Sequence, residues 1–201
     1  MSKRPDTLTP MEIPLFLDSV LMKSSFGVHH RNGIRNYLMV LLMLDAGLRV
    51  GEVVKLKIQD LYLAGSPVSS LLIRKEISKG KRERLLPLTG RIQETICLMY
   101  EHWWVKLESK GLLYAFYSSA ANIPFSTRQV ENIVKRHAQQ SIKREIHPHV
   151  LRHTFGTRLM RQVNSRIVQT LLGHKNIQTT QVYTHPNNDD LTDAIEKIST
   201  D

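Results

Sequence analysis

The sequence predicts an α+β fold, mostly helical, with a small three-stranded antiparallel sheet in its first half. Three observations carry that prediction. Apolar residues recur three and four apart through most of the 201 residues, the spacing that gathers side chains on one helix face. Between residues 57 and 88 the pattern changes to short runs rich in Leu and Ile around a Gly-containing turn, as in strands. The single cysteine, Cys97, excludes an internal disulfide and a cysteine-rich zinc module. An apolar core must therefore hold the fold, and with 41% hydrophobic residues one domain of this length can form it.

Residues 7–22 read as the opening helix: Thr9 caps it, Pro10 takes its first position, and Glu12 reaches back from the third. A second helix, 31–46, carries Tyr37, Leu38, Leu41, Leu42 and Met43, is nearly all buried, and ends at Gly47. Leu48-Arg49-Val50-Gly51-Glu52 then puts an arginine on a turn into another short helix. Residues 57–61, 70–77 and 82–88 read as the three strands, with Ser78-Lys79-Gly80-Lys81 as the basic turn joining the last two. A helix over 90–109 buries Ile92, Ile96, Met99, Trp103 and Leu107, and Cys97 falls in the same pattern as a buried thiol. Of Trp103 and Trp104, one belongs to the core; stacking on bases is the other use open to the pair. After an irregular stretch, 111–125, Ser126 caps a helix that runs to Gln140, and Lys135, Arg136, Lys143 and Arg144 make a basic run.

The densest polar chemistry lies in residues 147–186, read as three short helical segments. Pro148 suits a helix start, since its missing amide donor would be unsatisfied there anyway. Helical spacing sets His149, Arg152 and Gly156 on one side, with Leu151, Phe155 and Leu159 as a core stripe on another. Two cationic groups then point out near a helix N-terminus, a seat for phosphate. The second segment, 165–172, carries Ile167, Val168, Leu171 and Leu172 and stops at Gly173, with His174 just beyond. Asn176 caps the third, which reaches Tyr183 before Pro186 forbids continuation. After it, Leu191, Ala194, Ile195 and Ile198 give 187–201 an amphipathic pattern too short to hold a helix alone.

His149-x-x-Arg152, then Leu171-Leu172-Gly173-His174, then Tyr183 nine residues on, resembles the C-terminal signature of the tyrosine recombinases, the phage-integrase and Xer-like family. Gly47-Leu48-Arg49 with Glu52, after a buried helix, is similar to that family's first arginine motif, although Gly51 stands where the family often has Ser. The resemblance spans nearly the whole chain. It implies that residues 1–201 are a single catalytic domain without the family's N-terminal core-binding domain, either a naturally minimal recombinase or a fragment. It implies six catalytic positions: Arg49 and Arg152 clamping the phosphate, His149 taking the nucleophile's proton, His174 bonding the phosphate, Tyr183 attacking, and Lys79 as general acid. Lys81 stays open as the alternative acid, and Glu52 becomes an orienting partner of Arg49. It also lays the helix before the signature in DNA, making Lys135, Arg136, Lys143 and Arg144 candidate DNA contacts, with Lys81 of the basic turn as another. The tail, 187–201, either packs on its own domain or docks into a neighbouring protomer and links subunits in a ring.

Charge agrees with such a partner. The formal net charge of +10, with a pI near 9.9, points to a polyanion: nucleic acid first, an anionic membrane second. The longest apolar run, 37–44, is far too short to span a bilayer, so the expectation is a soluble, cytoplasmic protein of a nucleoid, phage or mobile element. No metal or other cofactor is expected: His149 and His153 have helical ligand spacing, but no Glu stands where a metalloprotease needs one and no Cys is near. The expected partners are double-stranded DNA and further copies of the chain, a homo-tetramer on DNA and a monomer or weak oligomer off it, with accessory proteins as a further class. The expected activity is site-specific recombination through a 3′-phosphotyrosyl link. A type IB topoisomerase-like nicking-closing enzyme and a catalytically idle DNA-binding regulator are the alternatives.

Overall fold

The computed structural model describes residues 6–21, 28–105, 114–117, 123–163 and 165–173. Helix α1 (Glu12–Leu21) begins where the sequence signals it: the Thr9 amide donates to Glu12 Oε2 at 2.7 Å and the Glu12 amide to Thr9 Oγ1 at 3.2 Å. It buries Phe16, Leu17 and Val20. Helix α2 (Val28–Leu44) is the centre of the core, with every residue from Leu38 to Leu44 buried, and it packs against α1 and four later helices. Each such Leu contributes about 1.5–3 kcal/mol through burial. The chain leaves α2 at Gly47, whose φ of +66° needs glycine. A Cβ there would also lie 2.4 Å from the Phe155 ring.

Short helices α3 (Val50–Val53) and α4 (Ile58–Leu61) follow. The described residues then hold two two-stranded antiparallel hairpins in place of the expected three-stranded sheet: β1 (Tyr62–Leu63) with β2 (Ser66–Pro67), and β3 (Ser70–Ile73) with β4 (Arg84–Pro87). The α+β class holds. The strand expected at 57–61 is a helical turn because Asp60 caps it: the Lys57 amide donates to Asp60 Oδ2 at 2.8 Å, and Arg74 fastens the same oxygen at 2.9 Å. The strand expected at 70–77 stops at Ile73, since the Ile77 and Ser78 amides turn back to the Arg74 carbonyl.

Helix α5 (Gly90–Met99) is capped by Thr89 and runs into a π-helical turn, Tyr100–Trp104. Trp103 and Trp104 are both buried, and their indole N–H groups donate to the carbonyls of Arg31 and Ala115 at 2.7 and 3.0 Å. The guanidiniums of Arg31 and Arg35 lie over the Trp103 ring, so neither indole is a platform for bases. Cys97 is half-buried, against the expected buried thiol, and Leu107 lies outside the described residues. Helix α6 (Thr127–Ser141) starts from the reciprocal Ser126–Gln129 cap. Helix α7 (Pro148–Met160) has proline at its first position, and α8 (Ser165–Leu172) ends at Gly173 with φ +63°. Val168 and Leu172 of α8 pack on Phe155 and Leu159, whereas Ile167 is exposed. Near the other end of the chain, the Leu8 amide donates to Thr154 Oγ1 at 2.8 Å, tying the first residues to α7.

Candidate active site

Four element ends converge on one side of the core. Arg49 is the N-cap of α3, in extended geometry (φ −77°, ψ 147°) directly after the Gly47 turn. Lys79 sits on the turn between β3 and β4, His149 in the first turn of α7, and α8 ends alongside at Gly173. A Cβ at Gly80 would lie 4.0 Å from the Gly173 carbonyl, so the lysine turn borders the end of α8. Arg49, Glu52, Lys55, Ser78, Lys79 and His149 line a cleft of about 410 Å³. Sequence positions 49, 79 and 149 thus meet across three separate elements.

Glu52 organises the floor. Its side chain is 1% exposed and its carboxylate accepts four hydrogen bonds. Oε2 takes the Arg49 amide at 2.8 Å and Arg84 Nη2 at 2.7 Å; Oε1 takes Arg49 Nη1 at 3.3 Å and Arg84 Nη1 at 3.0 Å. Burial alone would raise this carboxyl's pKa. The hydrogen bonds and charge of Arg84, the Arg49 amide and the charge of Arg152 outweigh it and hold Glu52 below the usual carboxylate range.

Arg152 was expected to point outward beside His149. It turns inward instead and is 4% exposed, donating to the Gly47 carbonyl and, at 2.7 Å, to the Leu172 carbonyl. The end of α8 leaves carbonyls without helical partners, and a buried guanidinium satisfies one of them. Arg152 therefore joins the α2–α3 turn to the end of α8. His149 faces the cleft. Partial burial, then the charges of Arg152, Arg49 and Lys79, lower its pKa, with Glu131 opposing. The imidazole is thus neutral near pH 7 and can accept a proton. His153, one turn on, is lowered too, by burial and by His149 and Arg152.

The remaining positions divide. Lys79 lines the cleft; Lys81 does not, and its backbone closes the turn at φ +50°. Lys135 pairs with Glu145 at 2.7 Å, and Lys143 donates to the Gln140 carbonyl at 3.1 Å. Arg136 is exposed. Arg144 holds the chain's first described residues, bonding Asp6 at 2.7 Å, the Thr7 carbonyl at 3.0 Å and Glu12 at 3.3 Å. His174, Tyr183 and the tail at 187–201 lie outside the described residues. Sequence reading missed Arg84. A signal was present: strand alternation sets it on the inward face with Leu86 and Leu88, where a charge requires a buried partner.

Known proteins resemble this chain along nearly its whole length. The model of the phage integrase family matches residues 8–190. A tyrosine recombinase of Pseudothermotoga lettingae is 36% identical over 196 residues, covering 96% of this chain and 61% of its own length. Tyrosine recombinase XerA of Pyrococcus horikoshii is 34% identical over 191 residues, 94% of this chain and 62% of the relative. The chain thus spans about three fifths of the length of these curated relatives. Among solved structures, a XerA recombinase superposes with a TM-score of 0.77 at 26% identity, over 98% of this chain and 66% of that one. XerH bound to a palindromic difH substrate, a post-cleavage complex, gives 0.76 at 26% identity, over 96% of this chain and 53% of that one.

Proposed function

Since this chain belongs to the phage integrase family and has the fold of a tyrosine-recombinase catalytic domain, we propose that it is a site-specific recombinase acting on double-stranded DNA. The observation that carries this reading is the cleft shared by Arg49, Lys79 and His149, three groups suited to phosphoryl transfer and far apart in sequence. The DNA bound to the similar XerH supports the choice of partner, as does the net charge of +10.

A tyrosine hydroxyl has a reference pKa of about 10, so roughly 0.1% is ionised at pH 7 and the nucleophile needs help. In this mechanism the Tyr183 oxygen attacks phosphorus while its proton passes to His149. The bond from phosphorus to the 5′ oxygen breaks, and Lys79 protonates the departing oxygen, giving a 3′-phosphotyrosyl link and a 5′-hydroxyl. Arg49 and Arg152 meet the charge that builds on the non-bridging oxygens, and His174 donates to the same phosphate; such preorganised donors are worth several kcal/mol. The covalent link keeps the phosphodiester energy, so the reverse attack by a 5′-hydroxyl rejoins DNA without ATP. Two protomers of a DNA-bound tetramer cleave at a time, and the tail at 187–201 links one protomer to the next.

Covalent trapping on nicked duplexes tests this, starting from a random-sequence library. A denaturant-stable protein–DNA adduct that Tyr183→Phe abolishes is the expected result, and sequencing the trapped DNA gives the site. An adduct in both proteins moves the nucleophile elsewhere and overturns the mechanism.

A further inference from the structure

We infer that Arg84 is a positioning residue for strand cleavage, fixing the Arg49 clamp and the departure of the chain toward His174 in one register; this rests on the recombinase reading above. Arg84 lies on β4, does not itself line the 410 Å³ cleft, and its side chain is 6% exposed. All three guanidinium nitrogens are used. Nη1 and Nη2 grip the two oxygens of Glu52 at 3.0 and 2.7 Å, and Nε donates to the Leu171 carbonyl at 3.1 Å. Glu52 passes the constraint on, since the same two oxygens hold the Arg49 amide and Nη1. At the other end, a Cβ on Gly173 would meet Arg84 Cδ at 3.1 Å and Nη1 at 3.3 Å, so the backbone crosses Arg84 closely one residue before His174.

Stability alone does not account for this bridge. A well-packed apolar pair of the same volume commonly serves a core as well as a buried ion pair or better. A planar fork bonded to a carboxylate on one side and a helix-end carbonyl on the other supplies direction, which apolar contacts do not. Arg84 thereby acts on the reacting phosphate through Arg49 and the end of α8 without touching DNA.

The test compares two duplexes carrying the trapped site, one with the natural scissile phosphate and one with a neutral methylphosphonate there. A residue acting through the cationic clamp matters most where the phosphate bears charge. Arg84→Lys keeps the charge and loses the fork. It is expected to slow adduct formation at saturating natural DNA by about 100-fold and on methylphosphonate by about threefold or less, with DNA affinity nearly unchanged. Glu52→Gln cuts the same link with an isosteric side chain and must show the same selective loss, which keeps the test decisive if Arg84→Lys melts below the assay temperature. Equal losses on both duplexes, with wild-type protein forming adduct normally, overturn this inference alone. Absence of any wild-type adduct overturns the recombinase reading and this inference with it.

Discussion

Arg152 Nη2 donates to the Leu172 carbonyl at 2.7 Å, so a candidate phosphate clamp on α7 also serves as the C-terminal cap of α8. The Gly47 carbonyl also accepts from it, so this one guanidinium joins three parts of the site. Arg152→Lys keeps a positive charge but cannot reach two carbonyls in fork geometry. The expected outcome is a loss of about 1–3 kcal/mol of stability from a stranded buried acceptor, seen as a fall of several degrees in Tm, together with slower adduct formation. A variant that melts like wild type would show that the cap is dispensable.

Glu52 gives the fold a defined acid limit. Its folded pKa lies below the unfolded value of about 4.3, so the unfolded chain binds the proton more readily. The stability it contributes is full above that value and is lost as pH falls through the lower folded value. Urea unfolding of wild type and Glu52→Gln should show a gap in favour of wild type at pH 6 that narrows as pH falls below the unfolded value of about 4.3. A gap independent of pH would contradict the assignment of Glu52 as a charged hub.

His149 should titrate below the ordinary histidine value of about 6.5 in the DNA-free protein. Lowering means that the unfolded state takes up the proton first. In the window from that reference value down to the folded pKa, protonation therefore favours unfolding, and stability rises with pH. Because Lys79 is one of the charges responsible, Lys79→Ala should move the His149 Cε1–H midpoint upward in an NMR titration, whereas Lys143→Ala should not. An unmoved midpoint in Lys79→Ala would separate the two groups and weaken the shared-cleft account.

These predictions divide along the line between what sequence could and could not show. The Thr9–Glu12 and Ser126–Gln129 caps, the apolar run 37–44 of α2 and the Gly47 and Gly173 stops were legible because each depends on residues close together in the chain. The 57–61 strand was misread because Lys57 and Asp60 settle it by a side-chain cap that Leu/Ile patterning does not register. Arg152 was assigned its helix face but the wrong direction, because the carbonyls that draw it inward, at 47 and 172, come from the α2–α3 turn and from α8. Arg84 escaped for the same reason, its carboxylate partner being 32 residues away. Motif spacing identified the cleft residues, while long-range pairing determined which of them face it.

The lysine turn offers the sharpest choice, because sequence left Lys79 and Lys81 both open as the proton donor. Lys79 lines the cleft with Arg49 and His149, and Lys81 lies outside it with its backbone closing the turn. Removing a general acid costs typically about 10²–10⁴ in rate, so Lys79→Ala should lose that much cleavage and Lys81→Ala only a few-fold. The loss must also have the right chemistry. A duplex with sulfur in place of the bridging 5′ oxygen releases a thiolate, which departs without protonation because its conjugate acid is far stronger than an alcohol. Lys79→Ala should therefore recover nearly wild-type adduct formation on the sulfur-bridged duplex, while variants of the clamp, Arg49→Ala among them, should not. Rescue of Lys81→Ala in its place would transfer the role, and an equal deficit of Lys79→Ala on both duplexes would make Lys79 a binding group alone.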